Sequence, residues 1–205
     1  MTVAKTRGIG FTSQRTRDRM RGAFKFAWTR TTELLHAARG VLADLTEAGV
    51  DHRVLKGAAV QIVDGRIGSR IMGDVDLLVH AEDVDAVVEI MVRNGFRRVG
   101  HARCSGHSDA EHHAALTFNR GSCHVDVHVA EYKAPRLLLT EMLRAPARPV
   151  RAVGVVVSLP PAELLLLHAA VHGVEASGPT DFVQAVVDVA ALARSVDRDR
   201  LRAAA

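Results

Sequence analysis

From Ser13 to Gly49 the apolar residues return every three or four positions: Phe24, Ala27, Trp28, Leu34, Leu35, Ala38, Val41, Leu42 and Leu45. That is the period of one face of a helix. Gly22 and Gly40 interrupt the run, so a single long helix competes with two helices broken near Gly40. In "EAGVDHRVLKG" the helix stops at Gly49 and a short strand follows at Arg53 to Leu55. "GAAVQIVDG" suits a short helix and "GDVDLLV" a strand. "AEDVDAVVEIMVRNGF" reads as an amphipathic helix: its first turn is acidic, Val84, Val87, Val88, Met91 and Val92 are apolar, and Asn94-Gly95 ends it. "AALTFNRGSCHVDVHVA" places two strand-like runs around Asn119-Arg120-Gly121-Ser122, which predicts a hairpin. After Pro135 the pattern is helical apart from a strand at "VGVVVSL". Pro160 and Pro161 open a last pair of helices, "AELLLLHAAVHGV" and "DFVQAVVDVAALARSV". The expected organisation is a flexible tail over 1–12, an α+β core with its N-terminal helix over 13–134, and a mostly helical part over 135–205 packed on that core.

With 205 residues and 48% apolar content the chain can bury a full core, built mainly from Ala, Val and Leu because aromatics make up only 4%. The net charge of +4 favours anionic partners such as nucleotides or nucleic acid, although the same balance also serves solubility. Two cysteines, Cys104 and Cys123, define no disulfide framework. No stretch approaches the roughly 20 apolar residues of a membrane span. The N-terminal "MTVAKTRGIGFTSQRTRDRMRG" has no apolar signal region, so a cytoplasmic protein is expected.

Candidate chemistry begins at "IMGDVDLLVH". Asp74 and Asp76 alternate on a strand, so both carboxylates leave one face, roughly 7 Å apart at Cβ. Like charges side by side repel, and burial adds to the cost. In "HVDVHVAE", His124, Asp126 and His128 share one face and Val125, Val127 and Val129 the other. If this strand lies beside the first, three carboxylates converge, and hard divalent cations with oxygen ligands, Mg²⁺ above all, would relieve the repulsion. "LKG" at Leu55 to Gly57 ends a strand and opens a helix, where backbone N–H groups and the helix dipole favour phosphate. Arg66 and Arg70 lie between that turn and the aspartates and could meet phosphate oxygens.

The order "VLKGAAV…R…GDVDLLV…GF…HVDVHV…LP…ELLLLHAAVH…DFVQAVVDVAAL" resembles the uncharacterised nucleotidyltransferase-like family of the polymerase-β-type superfamily, from about Thr31 to Ala193. The resemblance implies a nucleotidyltransferase-type mixed β-sheet flanked by helices, with an N-terminal helix, a C-terminal helical part, and a nucleoside triphosphate bound at the sheet edge. It implies Mg²⁺ or Mn²⁺ held by Asp74, Asp76 and Asp126, with these three also catalytic. One metal would organise the triphosphate and another would activate an acceptor hydroxyl. Gly57 would approach the phosphates and Lys56 could supply positive charge near them, with Arg66 and Arg70 completing the expected nucleotide site. His128, beside Asp126 on the same face, could orient that carboxylate, carry a proton or make a structural hydrogen bond. The superfamily commonly has Gly-Ser at this turn, whereas Ala58 follows Gly57 here, so the serine–phosphate contact is missing.

The expected function is transfer of a nucleoside monophosphate from an NTP, ATP in the first instance, to an unidentified acceptor: a small molecule, a protein or an RNA. The missing serine motivates the alternative, a catalytically weak nucleotide- or partner-binding module of the same fold. A third class, nucleic-acid binding along the basic N-terminal helix, lacks a platform of aromatics for base stacking. His101, Cys104, His107, His112, His113, Cys123 and His124 could supply zinc ligands, but their spacing matches no usual paired pattern. His168 and His172, four apart among Leu164, Leu165 and Leu167, read as packing residues of a helix.

Overall fold

The structure, a computed structural model, describes residues 13–99, 116–130, 137–175, 178–197, 199 and 201–202. The expected tail over 1–12 and the histidines and cysteine between His101 and His113 lie outside the described residues. The first element is one helix, α1, Gln14–Glu47. Ser13 caps it by accepting a hydrogen bond from the Thr16 N–H. Of the two alternatives, the unbroken helix is the one formed. Gly40 sits inside it because a Cβ there would lie 2.3 Å from Asn94 Oδ1. The glycine is a point of close helix–helix approach rather than a break.

Strand β1, His52–Val54, leads directly into α2, Lys56–Val63. Strand β2, Asp74–His80, is followed by a single 3₁₀ turn and by α3, Val84–Arg93. Next come β3, Arg97–Arg98, β4, Leu116–Arg120, and β5, Cys123–Ala130. Helix α4, Leu137–Arg144, precedes β6, Arg148–Ala152, and β7, Val155–Leu159. Helices α5, Ala162–Glu175, and α6, Pro179–Leu192, close the order. The sequence pattern did not reveal β6. "RPVRA" carries a proline and two arginines, which suit the mostly exposed strand it forms against β7.

The main sheet has the order β1-β2-β5-β4-β3. It is mixed: β2 and β5 are parallel, while β1–β2, β4–β5 and β3–β4 are antiparallel. Val75, Leu77, Val79, Val125 and Val127 are fully buried on one face and share a core with Leu34, Leu35, Ala38 and Leu42 of α1 and with Val87 and Met91 of α3. Burial of that apolar face drives the folding of the layer. The opposite face carries the polar positions of β2 and β5 toward α2, and α2 in turn packs against α5 and α6.

Polar side chains fix the joints between these elements. Arg53 is only 2% exposed, and it donates to the Leu143 and Ala145 carbonyls at 2.7 and 2.8 Å and to the His52 carbonyl at 2.9 Å. A guanidinium here satisfies carbonyls at the C-terminal end of α4 that no helix bond can reach. Gln61 accepts from the Gly68 N–H at 2.6 Å, holding the loop before β2 against α2. Arg30 of α1 donates to the Gly73 carbonyl at 3.1 Å and to the Ser122 carbonyl at 2.8 Å, tying the entry of β2 to the β4–β5 turn.

Candidate active site

Parallel pairing of β2 with β5 sets Asp76 opposite Asp126, with Asp74 opposite His124 and Leu78 opposite His128. The three aspartates therefore belong to two adjacent strands and point to one face. Asp76 is buried, at 5% exposure, and one oxygen carries its contacts. Lys56 Nζ donates to Asp76 Oδ1 at 2.7 Å, and His128 Nε2 stands 2.8 Å from the same oxygen and 3.2 Å from the ammonium. Burial pushes the Asp76 carboxyl up, but the His128 hydrogen bond and the Lys56 charge outweigh it and hold the pKa down to about 2. Asp74 moves the other way. Burial raises it, repulsion from Asp76 and Asp126 adds to the rise, and Lys56 and Arg70 offset only part. Asp126 Oδ1 is buried and has no hydrogen-bond partner.

The β1–α2 junction aims Lys56 at this cluster. Leu55 donates its N–H to the Asp76 carbonyl at 2.9 Å, pinning the start of α2 to the middle of β2. Lys56 has φ +45°, a left-handed backbone in a residue with a side chain, at a cost of roughly 1–3 kcal/mol. At Gly57 a Cβ would stand 3.1 Å from Met72 Cγ and 3.2 Å from Arg70 Cζ. The missing side chain lets Arg70 lie across the first turn of α2. Two cations thus converge where the helix dipole already favours an anion. Arg70 is paired with Asp188 of α6, which also accepts from Gln184 Nε2 at 3.1 Å. Burial raises the Asp188 pKa, and Arg70 counteracts part of that rise.

Arg66 is not brought into this group. It lies past the other end of α2 and pairs with Asp64 at 2.5 Å, beside Arg194 at 2.7 Å from the same carboxylate. His128 contacts Asp76 rather than Asp126. Among the described residues no three His, Cys, Asp or Glu side chains are placed as a ready metal cage; one Asp76 oxygen, Oδ1, is taken by Lys56 and His128. The donor set nevertheless fits a hard cation: three carboxylates on neighbouring strands, one with an orphaned buried oxygen and one whose ionisation is opposed by the other two. Of the proposed zinc ligands, the described ones are Cys123, a buried free thiol, and His124, which is exposed.

A cavity of about 100 Å³ adjoins Lys56 and Arg70 and is walled by His168, His172, Gln184 and Asp188. The rings of His168 and His172 stack with centroids 6.1 Å apart. Loss of solvent and the nearby Lys56 charge push His168 down to about 3, so it stays neutral. Sequence spacing assigns these histidines to packing. Leu164 and Leu165 are the residues of α5 that enter the core, while the two histidines line the cavity. Asp188 and Gln184 fall within the "DFVQAVVDVAAL" stretch that supports the family resemblance, but local pattern gives neither a role, because the Arg70 partner of Asp188 lies far away in sequence.

The profile of the uncharacterised nucleotidyltransferase family matches residues 2–205. The chain belongs to that family. This nucleotidyltransferase finds no match among curated proteins, but its fold recurs in solved structures. It is similar to ANT(2″)-Ia in complex with adenylyl-2″-tobramycin, with a TM-score of 0.58 and 15% identity over 82% of this chain and 92% of the other. It also resembles an antigenic nucleotidyltransferase-like protein from Paracoccidioides brasiliensis, with a TM-score of 0.52 and 20% identity over 78% and 75% of the two chains. The lincosamide antibiotic adenylyltransferase LnuA, bound to lincomycin, gives 0.50 and 15% over 76% and 94%. The expected mixed sheet flanked by helices is the fold these proteins share. Among the described residues no helix is long and apolar enough to cross a membrane.

Proposed function

We propose that this nucleotidyltransferase uses Mg²⁺, or Mn²⁺ in its place, to move an AMP group from ATP to a hydroxyl of a small acceptor in the cytoplasm. The observation that carries this reading is the pairing of Asp76 with Asp126, whose buried Oδ1 lacks a partner, beside a helix N-terminus flanked by Lys56 and Arg70. Asp74, Asp76 and Asp126 would hold the metal, which supplies Lewis-acid stabilisation of the phosphate oxygens and lowers the acceptor hydroxyl's pKa. Lys56 and Arg70 bind the triphosphate and neutralise charge on its oxygens during in-line displacement. His128 fixes the orientation of Asp76 through its 2.8 Å contact. The acceptor oxygen forms the new P–O bond as pyrophosphate leaves, and its proton passes to the carboxylate cluster or to solvent. A contact from the usual serine is absent at Ala58, which leaves the side-chain share of phosphate binding to Lys56 and Arg70.

ATP is favoured because one fold neighbour, ANT(2″)-Ia, is bound to an adenylylated tobramycin and another, LnuA, is an adenylyltransferase. The antibiotics bound to these two neighbours also support a small hydroxylated acceptor. The test is incubation with α-labelled ATP, Mg²⁺ and a metabolite extract, comparing wild type with Asp76→Asn. Label transferred by the wild type alone supports the reading. No labelled acceptor, together with nucleotide-dependent Mn²⁺ binding that Asp76→Asn leaves intact, would refute it.

A further inference from the structure

We propose that Lys56 is an internal counter-ion that makes divalent-cation binding conditional on nucleotide, holding Asp76 in the nucleotide-free enzyme and exchanging it for phosphate oxygens when nucleotide enters. The proposal rests on the assignment of Asp74, Asp76 and Asp126 as the metal-holding carboxylates. Asp76 Oδ1 has the Lys56 ammonium at 2.7 Å and His128 at 2.8 Å, so its two lone-pair directions are occupied. A cation arriving alone either displaces the ammonium from that oxygen or binds beside a positive charge that repels it. Of the other carboxylates near Lys56, Asp188 is already paired with Arg70, and Asp74 belongs to the set that would hold the cation. A partly buried cation stripped of its partner is costly.

A triphosphate changes this balance. The Lys56 side chain is about one quarter exposed and also borders the cavity shared with Arg70 and His168, so it has somewhere to go. Phosphate oxygens there give it a new anionic partner, and Asp76 is released to the metal. Metal and nucleotide therefore promote each other's binding, and that coupling is reciprocal by linkage. The left-handed backbone at Lys56 is consistent with a residue held in place for a task rather than for local stability.

The experiment is Mn²⁺ titration followed by electron paramagnetic resonance, without nucleotide, on wild type, Lys56→Met and Lys56→Arg. Lys56→Met removes the charge but keeps an unbranched chain, and should bind Mn²⁺ at least tenfold more tightly than wild type. Lys56→Arg keeps the charge, and should bind as weakly as wild type. Thermal melts establish that each variant is folded. If Lys56→Met binds Mn²⁺ no better than wild type, the counter-ion role is overturned. A parallel titration with a non-transferable α,β-methylene ATP analogue and Asp76→Asn separates the two levels. Loss of nucleotide-supported Mn²⁺ binding in Asp76→Asn keeps the carboxylate assignment standing even where the Lys56 proposal fails. Retention of that binding overturns both.

Discussion

Replacing Asp126 with Asn should stabilise the metal-free protein while abolishing its chemistry. Asp126 stands in register with Asp76, close to Asp74, and one of its oxygens is buried without a partner. Side chains directly opposite on paired strands are about 5 Å apart. At an effective dielectric near 20, two full charges at that distance repel by about 3 kcal/mol. Lys56 cancels much of the Asp76 charge, so a net relief of about 1–2 kcal/mol is expected from the amide. In a chain of this size that corresponds to a rise in Tm of about 3–6 °C. Differential scanning fluorimetry in EDTA measures it directly. Added Mg²⁺ and ATP should raise the Tm of the wild type by mass action and that of Asp126→Asn by much less. Transfer of label should fall by several orders of magnitude in the variant. A variant less stable than wild type in EDTA, or one that gains as much from Mg²⁺ and ATP, would refute the view of Asp126 as a strained ligand.

Arg53→Met should destabilise the fold by about 3 kcal/mol in urea unfolding, because three backbone carbonyls lose their donor in a buried setting; an equal loss of nucleotide affinity at temperatures where the variant is folded would argue against a purely structural role. Arg70→Ala should weaken triphosphate binding by about 1–3 kcal/mol and adenosine binding far less, measured by calorimetry; equal losses would place Arg70 on the base side or in folding alone. The pH dependence of stability follows from His168 and Asp76. His168 is held below its ordinary value, at about 3, so the unfolded chain takes up the proton first and stability falls as pH drops from about 6.5 toward 3. Asp76 is held at about 2, so its contribution is complete above the ordinary carboxylate range and is lost as pH falls from about 4 through 2. Urea midpoints across this range should flatten in His168→Gln above pH 4 and in Asp76→Asn below it; unchanged profiles would contradict these assignments.

Local pattern alone was enough for most elements. A period of three to four residues marks α1, and strict alternation puts Asp74 with Asp76, and Asp126 with His128, on one face of their strands whatever surrounds them. The turn at Gly121-Ser122 likewise announces the β4–β5 hairpin, because backbone chemistry at that point is set by neighbours in sequence. Strand β6 was hidden, since an edge strand exposed to solvent needs no apolar alternation. Gly40 was ambiguous because only the approach of Asn94 from α3 gives a glycine there a reason. What stands next to what was a tertiary decision. The parallel pairing of β2 with β5 joins residues some fifty positions apart, and Asp76 meets Asp126 only through that register. Proximity in sequence grouped Arg66 with Arg70, yet α2 sends them to opposite ends, one to Asp64 and the other across Gly57 to Asp188. His168 and His172 read as packing on their own helix; the cavity beside Lys56 exists only once α5 and α6 dock on α2. Residue spacing determines the faces of single elements, whereas charge partners come from the packing of those faces, which local pattern does not encode.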